Sequence, residues 1–307
     1  MIEIRNILCP IDFSEYSRRA LDHAMAIARW HDSSITVLHV YSATPVAAYA
    51  PGSQSLESTA LTPADLEQLT THATHFVDAA PVGEIPVEVV IVEGNTAAEI
   101  LSRAKQTGLL VIGTHGRSGF DRLVLGSVTE KVLRKAECPV LTVPRAAPGT
   151  APGSAVAFKR ILCPTDFSDA STRALNYAMS LAQEADAQLT VLHVMSYEME
   201  LTPEMSESLL AYSHLSKEEF RKACEDSSRE RLTAAVPDTV RAYCTVETLL
   251  ATGKPYREIL RVAAEQQADL IVMGVQGRGA VDLMFFGSTT QHVVRQAACP
   301  VLTLRKG

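Results

Sequence analysis

Short apolar runs alternate with amphipathic segments along the first half of the chain. Residues 4–9 form an apolar run that ends at Pro10, a pattern typical of a buried strand. Residues 15–31 follow Ser14, a candidate N-cap, and carry apolar side chains at helical spacing. The same patterns predict strands at 35–40, 87–92, 109–112 and 140–143, and helices at 63–79, 97–105 and 126–136. Strands that alternate with helices predict an α/β fold with a parallel sheet and helices on both of its faces.

Helical spacing also predicts which side chains of three of these helices face the core. They are Ala20, Ala24, Ile27 and Ala28 in the first, Ile100, Leu101 and Ala104 in the third, and Val128, Val132 and Leu133 in the fourth. A buried apolar stripe on each helix would fix the side that it turns toward the sheet.

The second half of the chain repeats the first. Residues 4–42 and 158–196 are identical at 21 of 39 positions without a gap, and 109–143 align with 270–304. The alignment offset rises from 154 to 161, so the second copy has seven extra residues in its middle. A stretch rich in Pro, Gly, Ala and Ser separates the copies. We therefore predict one domain at 1–146, a linker at 147–156 and a second domain at 157–307.

Composition narrows the classes of partner. The chain has 307 residues, a formal net charge of −7 and a pI of about 5.7. This balance argues against a surface that coats nucleic acid and against an anchor for anionic membranes, while backbone amides can still hold a nucleotide. No apolar run reaches the roughly 18 residues that a membrane-spanning helix needs, and the first residues do not resemble a secretory leader. We expect a cytoplasmic protein without nucleic-acid or membrane partners.

Six cysteines leave two interpretations open. None forms a C-x-x-C pair, and four occupy equivalent places in the two copies, each followed by proline: Cys9, Cys138, Cys163 and Cys299. Packed core thiols are favoured over a redox role, since free cysteine is often a small buried hydrophobe.

A glycine pattern follows the fourth predicted strand of each copy. Gly113 and Gly116 are followed, after nine residues, by Gly126-Ser127; the second copy keeps this spacing with Gly274, Gly277, Gly287 and Ser288. Glycine at a strand-to-loop turn permits positive φ and close approach of a ligand, and the helix that begins after the last glycine offers free amides to a phosphate. The pattern is neither a Walker A loop nor the G-x-G-x-x-G fingerprint.

Other polar residues lie near the same predicted edge of the sheet. Asp12 and Asp166 follow the first strand of each copy, where they could bind a ribose or base, be solvated turn residues, or cap the next helix. His39 and His193 fall within strands, where a packed or hydrogen-bonded role is favoured. His115 has no evident partner carboxylate, so we predict neither a catalytic residue nor a metal site.

At these residues the chain resembles the universal stress protein family. The matching segments are ILCPxDFS, TVLHV, GTHGRSG, GSVTEKV and CPVL, and they occur across nearly the whole of both copies. The resemblance implies two tandem Rossmann-like (adenine nucleotide alpha hydrolase-like) domains, each a five-stranded parallel sheet in the order 3-2-1-4-5. Family members with the G-2x-G-9x-G-[ST] pattern bind ATP, so the resemblance implies ATP, with or without Mg²⁺, as the cofactor.

Carried over position by position, the resemblance implies two sets of binding residues. Those of the first copy are Pro10, Asp12, Val40, Gly113, Gly116, Gly126, Ser127, Val128 and Thr129. Those of the second are Pro164, Asp166, Val194, Gly274, Gly277, Gly287, Ser288, Thr289 and Thr290. Arg117 and Arg278 follow the second glycine and are either phosphate contacts or solvent-facing loop residues.

The two copies need not bind alike. His115 becomes Gln276, Val128 becomes Thr289 and Ile11 becomes Thr165, so the first site is the better match to the family.

Three functions stay open: a nucleotide-dependent stress-response protein with a regulatory protein partner, a weak ATPase or phosphotransferase, and an interaction module that binds no nucleotide. Single-domain members pair through their last strands, so the resemblance implies pairing of Val140–Val143 with Val301–Leu304 inside this chain. A homodimer is a further alternative.

Overall fold

The computed structural model describes residues 4–42, 61–79, 85–116, 125–144, 156, 158–196, 216–275 and 287–305. The chain divides into two compact units, assigned chiefly to Glu3–Arg145 and to Ala157–Lys306. We call them the N-terminal unit and the C-terminal unit. Among the described helices, none combines the length and the apolar character that crossing a membrane requires.

The N-terminal unit is a parallel sheet with helical crossovers. Its elements are β1 (Asn6–Ile11), α1 (Glu15–His31), β2 (Ser34–Tyr41), α2 (Pro63–Asp78), β3 (Val87–Glu93), α3 (Thr96–Ala104), β4 (Leu109–Gly113), α4 (Ser127–Lys135) and β5 (Val140–Val143). The strand order is β3-β2-β1-β4-β5, which confirms the order that the resemblance implied. The crossovers β1-α1-β2 and β3-α3-β4 run in opposite directions along the sheet, so right-handed connections place α1 and α3 on opposite faces.

The C-terminal unit repeats this arrangement. Its elements are β6 (Arg160–Thr165), α5 (Asp169–Ala185), β7 (Gln188–Met195), α6 (Lys217–Ala234), α7 (Asp238–Arg241), β8 (Val246–Thr252), α8 (Pro255–Glu265), β9 (Leu270–Gly274), α9 (Ser288–Gln296) and β10 (Val301–Leu304). The order β8-β7-β6-β9-β10 matches that of the N-terminal unit. The short helix α7 falls in the middle segment, where the second copy is longer.

One predicted strand end was wrong. Pro10 does not end the first strand, because β1 continues through it to Ile11. The ladder between β1 and β4 stops at Leu8, which faces Leu110, whereas the ladder between β1 and β2 continues to Ile11. Pro10 therefore lies beyond the β1–β4 ladder, so the N–H that it lacks has no partner to lose on β4.

The predicted apolar stripes are largely confirmed. Every predicted inward residue of α1 is at most 4% exposed. In α3, Ile100 and Ala104 are buried but Leu101 is only partly so. In α4, Val132 and Leu133 are buried, whereas Val128 is partly exposed and Thr129 takes the buried place in that turn.

A buried histidine distinguishes the core of the N-terminal unit. His23 is 1% exposed, and its Nδ1 lies 2.8 Å from the carbonyl oxygen of Arg19. Burial lowers the pKa of His23 to about 4 from an ordinary value of 6.5. The C-terminal unit has Tyr177 at the equivalent position, also buried.

We expect His23 to make the N-terminal unit sensitive to acid. Because folding favours the neutral imidazole, the stabilisation is complete above about pH 6.5 and is lost as the pH falls toward the lowered pKa, a change of about 3 kcal/mol. His23→Tyr, which installs the residue of the other copy, should reduce that loss. Urea unfolding of both proteins at pH 7 and pH 4.5 measures it, with Tyr177→Phe as the control. An equal loss in the wild type and in His23→Tyr would show that other groups cause it.

Candidate functional site

The ends of β1 and β2 bring two predicted site residues to the same level of the sheet. Ile11 is in register with His39, so the next residues, Asp12 and Val40, extend from neighbouring parallel strands. Thr165 and His193 are paired in the same way ahead of Asp166 and Val194. Pro10 and Pro164, by contrast, are buried inside their strands.

The carboxylate of Asp12 is fixed by the turn that follows it. Its Oδ1 accepts hydrogen bonds from the backbone N–H of Ser14, at 3.1 Å, and from the Ser14 hydroxyl, at 2.5 Å. The Ser14 hydroxyl in turn accepts from the N–H of Ser17 and so caps α1, as predicted. Asp166 and Ser168 repeat the arrangement, with distances of 3.0 and 2.6 Å. One carboxylate oxygen therefore supports the helix cap, which is the alternative that the sequence left open.

The other carboxylate oxygen of Asp12 faces Gly116, in the loop that follows β4 and that we call the glycine loop. A Cβ on Gly116 would lie 2.7 Å from Asp12 Oδ2, which is closer than such contacts allow. The end of β1 and the loop after β4 therefore converge at this carboxylate. This point lies between β1 and β4, the switch point of the strand order, where sheets of this kind bind ligands.

Gly113 and Gly274 are glycines for a different reason from the one predicted. The described glycines with positive φ are Gly94 and Gly253, so the expectation of positive φ at the strand end was wrong. A Cβ on Gly113 would lie 2.9 Å from Tyr16 Cβ, and one on Gly274 would lie 2.8 Å from the backbone carbon of Ala170. These glycines let α1 and α5 pack closely against the strand ends. The approach of a ligand to the same glycines stays a prediction.

The helices α4 and α9 begin with glycine. Gly126 is the N-cap of α4, and its N–H donates to the carbonyl oxygen of Thr114 at 2.9 Å. Gly287 does the same for α9, donating to Val275 at 3.0 Å. Side chains cap α1, α2, α3, α5 and α6, whereas a glycine N-cap has none to offer. The first-turn amides of α4 and α9 thus suit an anion, and Ser127 and Ser288 are exposed beside them.

Thr129 and Thr290 support the helix starts from inside. Each side chain is 4% exposed. The hydroxyl of Thr129 donates to the carbonyl oxygen of Gly113 at 2.8 Å, and that of Thr290 donates to Gly274 at 3.0 Å. Their hydroxyls join the helix start to the strand end, a role that the sequence did not indicate. The partly exposed side chains in the same turns are Val128 and Thr289.

Three predicted site residues, Arg117, Gly277 and Arg278, lie outside the described residues. Gly116 is described, so the convergence with an aspartate is seen in the N-terminal unit. Its equivalent in the C-terminal unit would involve Gly277.

Three histidines near the candidate sites form hydrogen bonds with other protein groups. His39 Nδ1 lies 2.9 Å from the carbonyl oxygen of Ile11, and His193 Nδ1 lies 2.7 Å from that of Thr165, so both are hydrogen-bonded strand residues. His115 Nδ1 lies 3.0 Å from the Thr114 hydroxyl. Within the described ranges, no group of three or more His, Cys, Asp or Glu side chains could hold a metal ion.

The four cysteines that the two copies share have raised pKa values, and three of them are buried. Cys9 and Cys163 are fully buried, and burial raises the pKa of both. Burial also raises the pKa of Cys138 to about 11 and that of Cys299 to about 12. Thiol chemistry needs the thiolate, so these shifts oppose it.

Sequence reasoning also missed a backbone feature next to the site. Phe13 and Phe167 directly follow the aspartates and have φ values of 63° and 60°. The DFS segment that both copies share marks this phenylalanine as a repeated residue but does not indicate its conformation.

The fold and the site together define two doubly wound α/β domains, each with a candidate anion-binding helix start beside its switch point. The model of the universal stress protein family matches residues 3–144 and 157–305. The chain therefore belongs to the universal stress protein family and contains two copies of the family's domain in tandem.

Individual relatives agree with this assignment. A universal stress protein of Thermus aquaticus is 37% identical over 155 residues, covering 48% of this chain and 99% of that protein. One from Mycolicibacterium smegmatis is 26% identical over 308 residues, covering 97% of this chain and 96% of that protein. The crystal structure of a universal stress protein from Archaeoglobus fulgidus has a TM-score of 0.65 at 24% identity and covers 98% of both chains, which supports the tandem fold.

Proposed function

We propose that the N-terminal unit binds ATP at the switch point of its sheet. The observation that carries this proposal is the convergence of Asp12, Gly116 and the start of α4. Gly116 approaches Asp12 Oδ2, while the N–H of Gly126 is bonded to Thr114 at the beginning of the same loop. A carboxylate and a helix N-terminus thus both lie next to residues 114–116, which follow β4.

The two sides of this cleft suit the two ends of a nucleotide. A carboxylate accepts hydrogen bonds from ribose hydroxyls or a base, whereas the first-turn amides of α4 stabilise phosphate oxygens. Val40, beside Asp12 on the neighbouring strand, supplies apolar surface for the base. Because backbone amides and the helix dipole provide the positive end, the acidic net charge of the chain does not oppose the site.

We propose a second, non-equivalent site in the C-terminal unit. Asp166, Gly287 and Ser288 keep the arrangement of the first unit, with Asp166 held by Ser168 and α9 begun by a glycine N-cap. The exchange of Val128 for Thr289 changes the partly exposed side chain of that turn. We expect the two sites to differ in affinity for ATP.

The proposed role is nucleotide-dependent binding in a stress response. ATP would stabilise the conformation of the glycine loop to which it binds best, and so bias contacts with a regulatory protein. His115 is held by Thr114 and packs 5.1 Å, centroid to centroid, from Tyr16. Its Nδ1 is therefore engaged by the protein, whereas its Nε2 is buried without a hydrogen-bond partner in the described part of the chain. We propose binding without rapid hydrolysis. Cytoplasmic location, a homodimer and pairing of the two copies stay predictions.

Calorimetric titration of the purified chain with ATP tests this function. We expect saturable binding of one or two ATP per chain, with affinity in the micromolar range or tighter, about −8 kcal/mol. GTP is the matched control and should bind more weakly. Release of adenine nucleotide from the denatured purified protein would agree with this result. Absence of ATP binding with or without Mg²⁺ would reject the proposal, and phosphate release well above that of buffer would favour the weak ATPase instead.

A further inference from the structure

Two phenylalanines next to the site aspartates have a backbone conformation that such residues rarely adopt. Phe13 and Phe167 lie in the left-handed region, with φ of 63° and 60°. A bulky residue is unfavourable there because its Cβ crowds the backbone. Such residues persist where the surroundings hold them in place, and they concentrate at functional sites. Both copies have retained phenylalanine at this position rather than glycine.

In the N-terminal unit, the ring of Phe13 is enclosed by β2 and α2. Its centroid lies 4.5 Å from that of His39 and 4.3 Å from that of His72, against which it stacks at 16°. Phe76 makes an edge contact at 5.6 Å. The guanidinium of Arg18 lies 3.7 Å from the centroid of Phe76, and Arg18 also donates to the carbonyl oxygen of Phe76. The ring is therefore fixed from both sides.

In the C-terminal unit, different residues make an equivalent enclosure. The centroid of Phe167 lies 4.5 Å from that of His193, and the guanidinium of Arg231 lies 4.0 Å from the Phe167 centroid. Arg231 comes from α6, the middle helix of this unit, as His72 comes from α2. The middle segments of the two copies match poorly in sequence, yet in each unit a side chain from this segment contacts the equivalent phenylalanine.

One imidazole holds both neighbours of each aspartate. His39 donates from Nδ1 to the carbonyl oxygen of Ile11, on one side of Asp12, and packs against Phe13 on the other. His193 holds Thr165 and Phe167 around Asp166 in the same way. The backbone of each aspartate is therefore fixed at both ends. Both carboxylates are directed to the turn serine, and that of Asp12 also faces Gly116.

We propose that Phe13 and His39 are positioning residues that orient Asp12 toward the ribose or base of a bound nucleotide, and that Phe167 and His193 do the same for Asp166. This inference rests on the proposed ATP-binding function. It assigns one common role, the orientation of the aspartate, to the phenylalanine of the DFS segment and the histidine of the LHV segment in each copy. Neither residue needs to touch the nucleotide.

A double-mutant cycle on the full chain tests this role. All variants carry Asp166→Ala, so that calorimetry with ATP reports the N-terminal site. Phe13→Leu should weaken ATP binding about tenfold, the coupling expected between contacting residues. Phe13→Tyr keeps the ring and should restore the affinity. Once Asp12→Ala is present, adding Phe13→Leu should cause no further loss.

Phe76→Leu is the matched control, because it removes a ring from the same cluster without touching the turn. It should lower the urea unfolding midpoint but leave ATP affinity within about twofold, since it does not contact Asp12. If Phe13→Leu does not fold, His39→Phe provides the second variant: it keeps a ring against Phe13 but cannot donate to Ile11, and it should also weaken ATP binding.

Three outcomes would overturn the inference. Equal losses of affinity in Phe13→Leu and Phe76→Leu would show a role in stability alone. Additive losses in the double mutant would show that Phe13 does not act through Asp12. If the Asp166→Ala parent and the wild type both bind no ATP, the proposed function fails and this inference fails with it, whereas the first two results reject the inference alone.

Discussion

Gly113→Ala should destabilise the N-terminal unit by about 2 kcal/mol, as overpacking of a close-packed contact typically does. The new methyl group would lie 2.9 Å from Tyr16 Cβ and 3.1 Å from the Tyr16 backbone carbonyl carbon. Neither atom belongs to a flexible side-chain end, so α1 itself would have to move from the end of β4. Urea unfolding followed by circular dichroism measures the change.

Gly274→Ala extends the same test to the C-terminal unit. Its Cβ would lie 2.8 Å from the backbone carbon of Ala170, which is equivalent to Tyr16. We expect a comparable loss of stability, although the side chains at this contact differ. Unchanged unfolding in both variants would contradict the account of these glycines as helix-packing residues.

Gly116→Ala should have the opposite profile, with a large loss of ATP affinity and little loss of stability. Its Cβ would lie 2.7 Å from Asp12 Oδ2, so this oxygen would have to move away from the loop, whereas Oδ1 can keep its hydrogen bonds to Ser14. Moving Oδ2 displaces the oxygen assigned to the ribose or base. We expect affinity to fall at least about tenfold, equivalent to about 1.4 kcal/mol, by calorimetry.

Gly108→Ala is the matched control for this substitution. Gly108 directly precedes β4, at the N-terminal end of the strands and opposite to the end at which Asp12 lies. Its Cβ would lie 3.3 Å from the carbonyl oxygen of Asn6. It adds the same methyl group to the same segment of chain, with milder crowding and far along the strand from Asp12. If Gly108→Ala and Gly116→Ala affect ATP binding equally, the assigned position of the nucleotide is wrong.

The fold could be predicted because local and repeated signals agreed. Apolar runs predicted the strands, and apolar residues at helical spacing predicted the buried faces of α1 and α3. The second copy repeated the same patterns. The predicted end of β1 was wrong, because the apolar pattern does not show that β1 stops pairing with β4 at Leu8 while it continues to pair with β2 as far as Ile11. The strand order came from the family resemblance, because periodicity carries no information about which strands are adjacent.

The convergence of Asp12 with the loop after β4 agrees with the positions predicted for the candidate site, but the sequence did not indicate what each residue does there. Glycine spacing located the loop, yet the sequence could not distinguish Gly113, which packs against a helix, from Gly116, which faces a carboxylate. Nor could it show that the hydroxyl of Thr129 is directed inward to Gly113. The left-handed conformation of Phe13 was also hidden, because it depends on contacts with α2, a helix distant in sequence.

Photoaffinity labelling with azido-ATP tests the central claim most directly, because it reports where the base lies. We predict labelled peptides from the C-terminal ends of β1 and β2, near Asp12 and Val40, with labelling suppressed by unlabelled ATP and by Gly116→Ala. Labelling of the N-terminal unit elsewhere, or labelling at Asp12 and Val40 that neither treatment reduces, would contradict an ATP site at the switch point of the sheet.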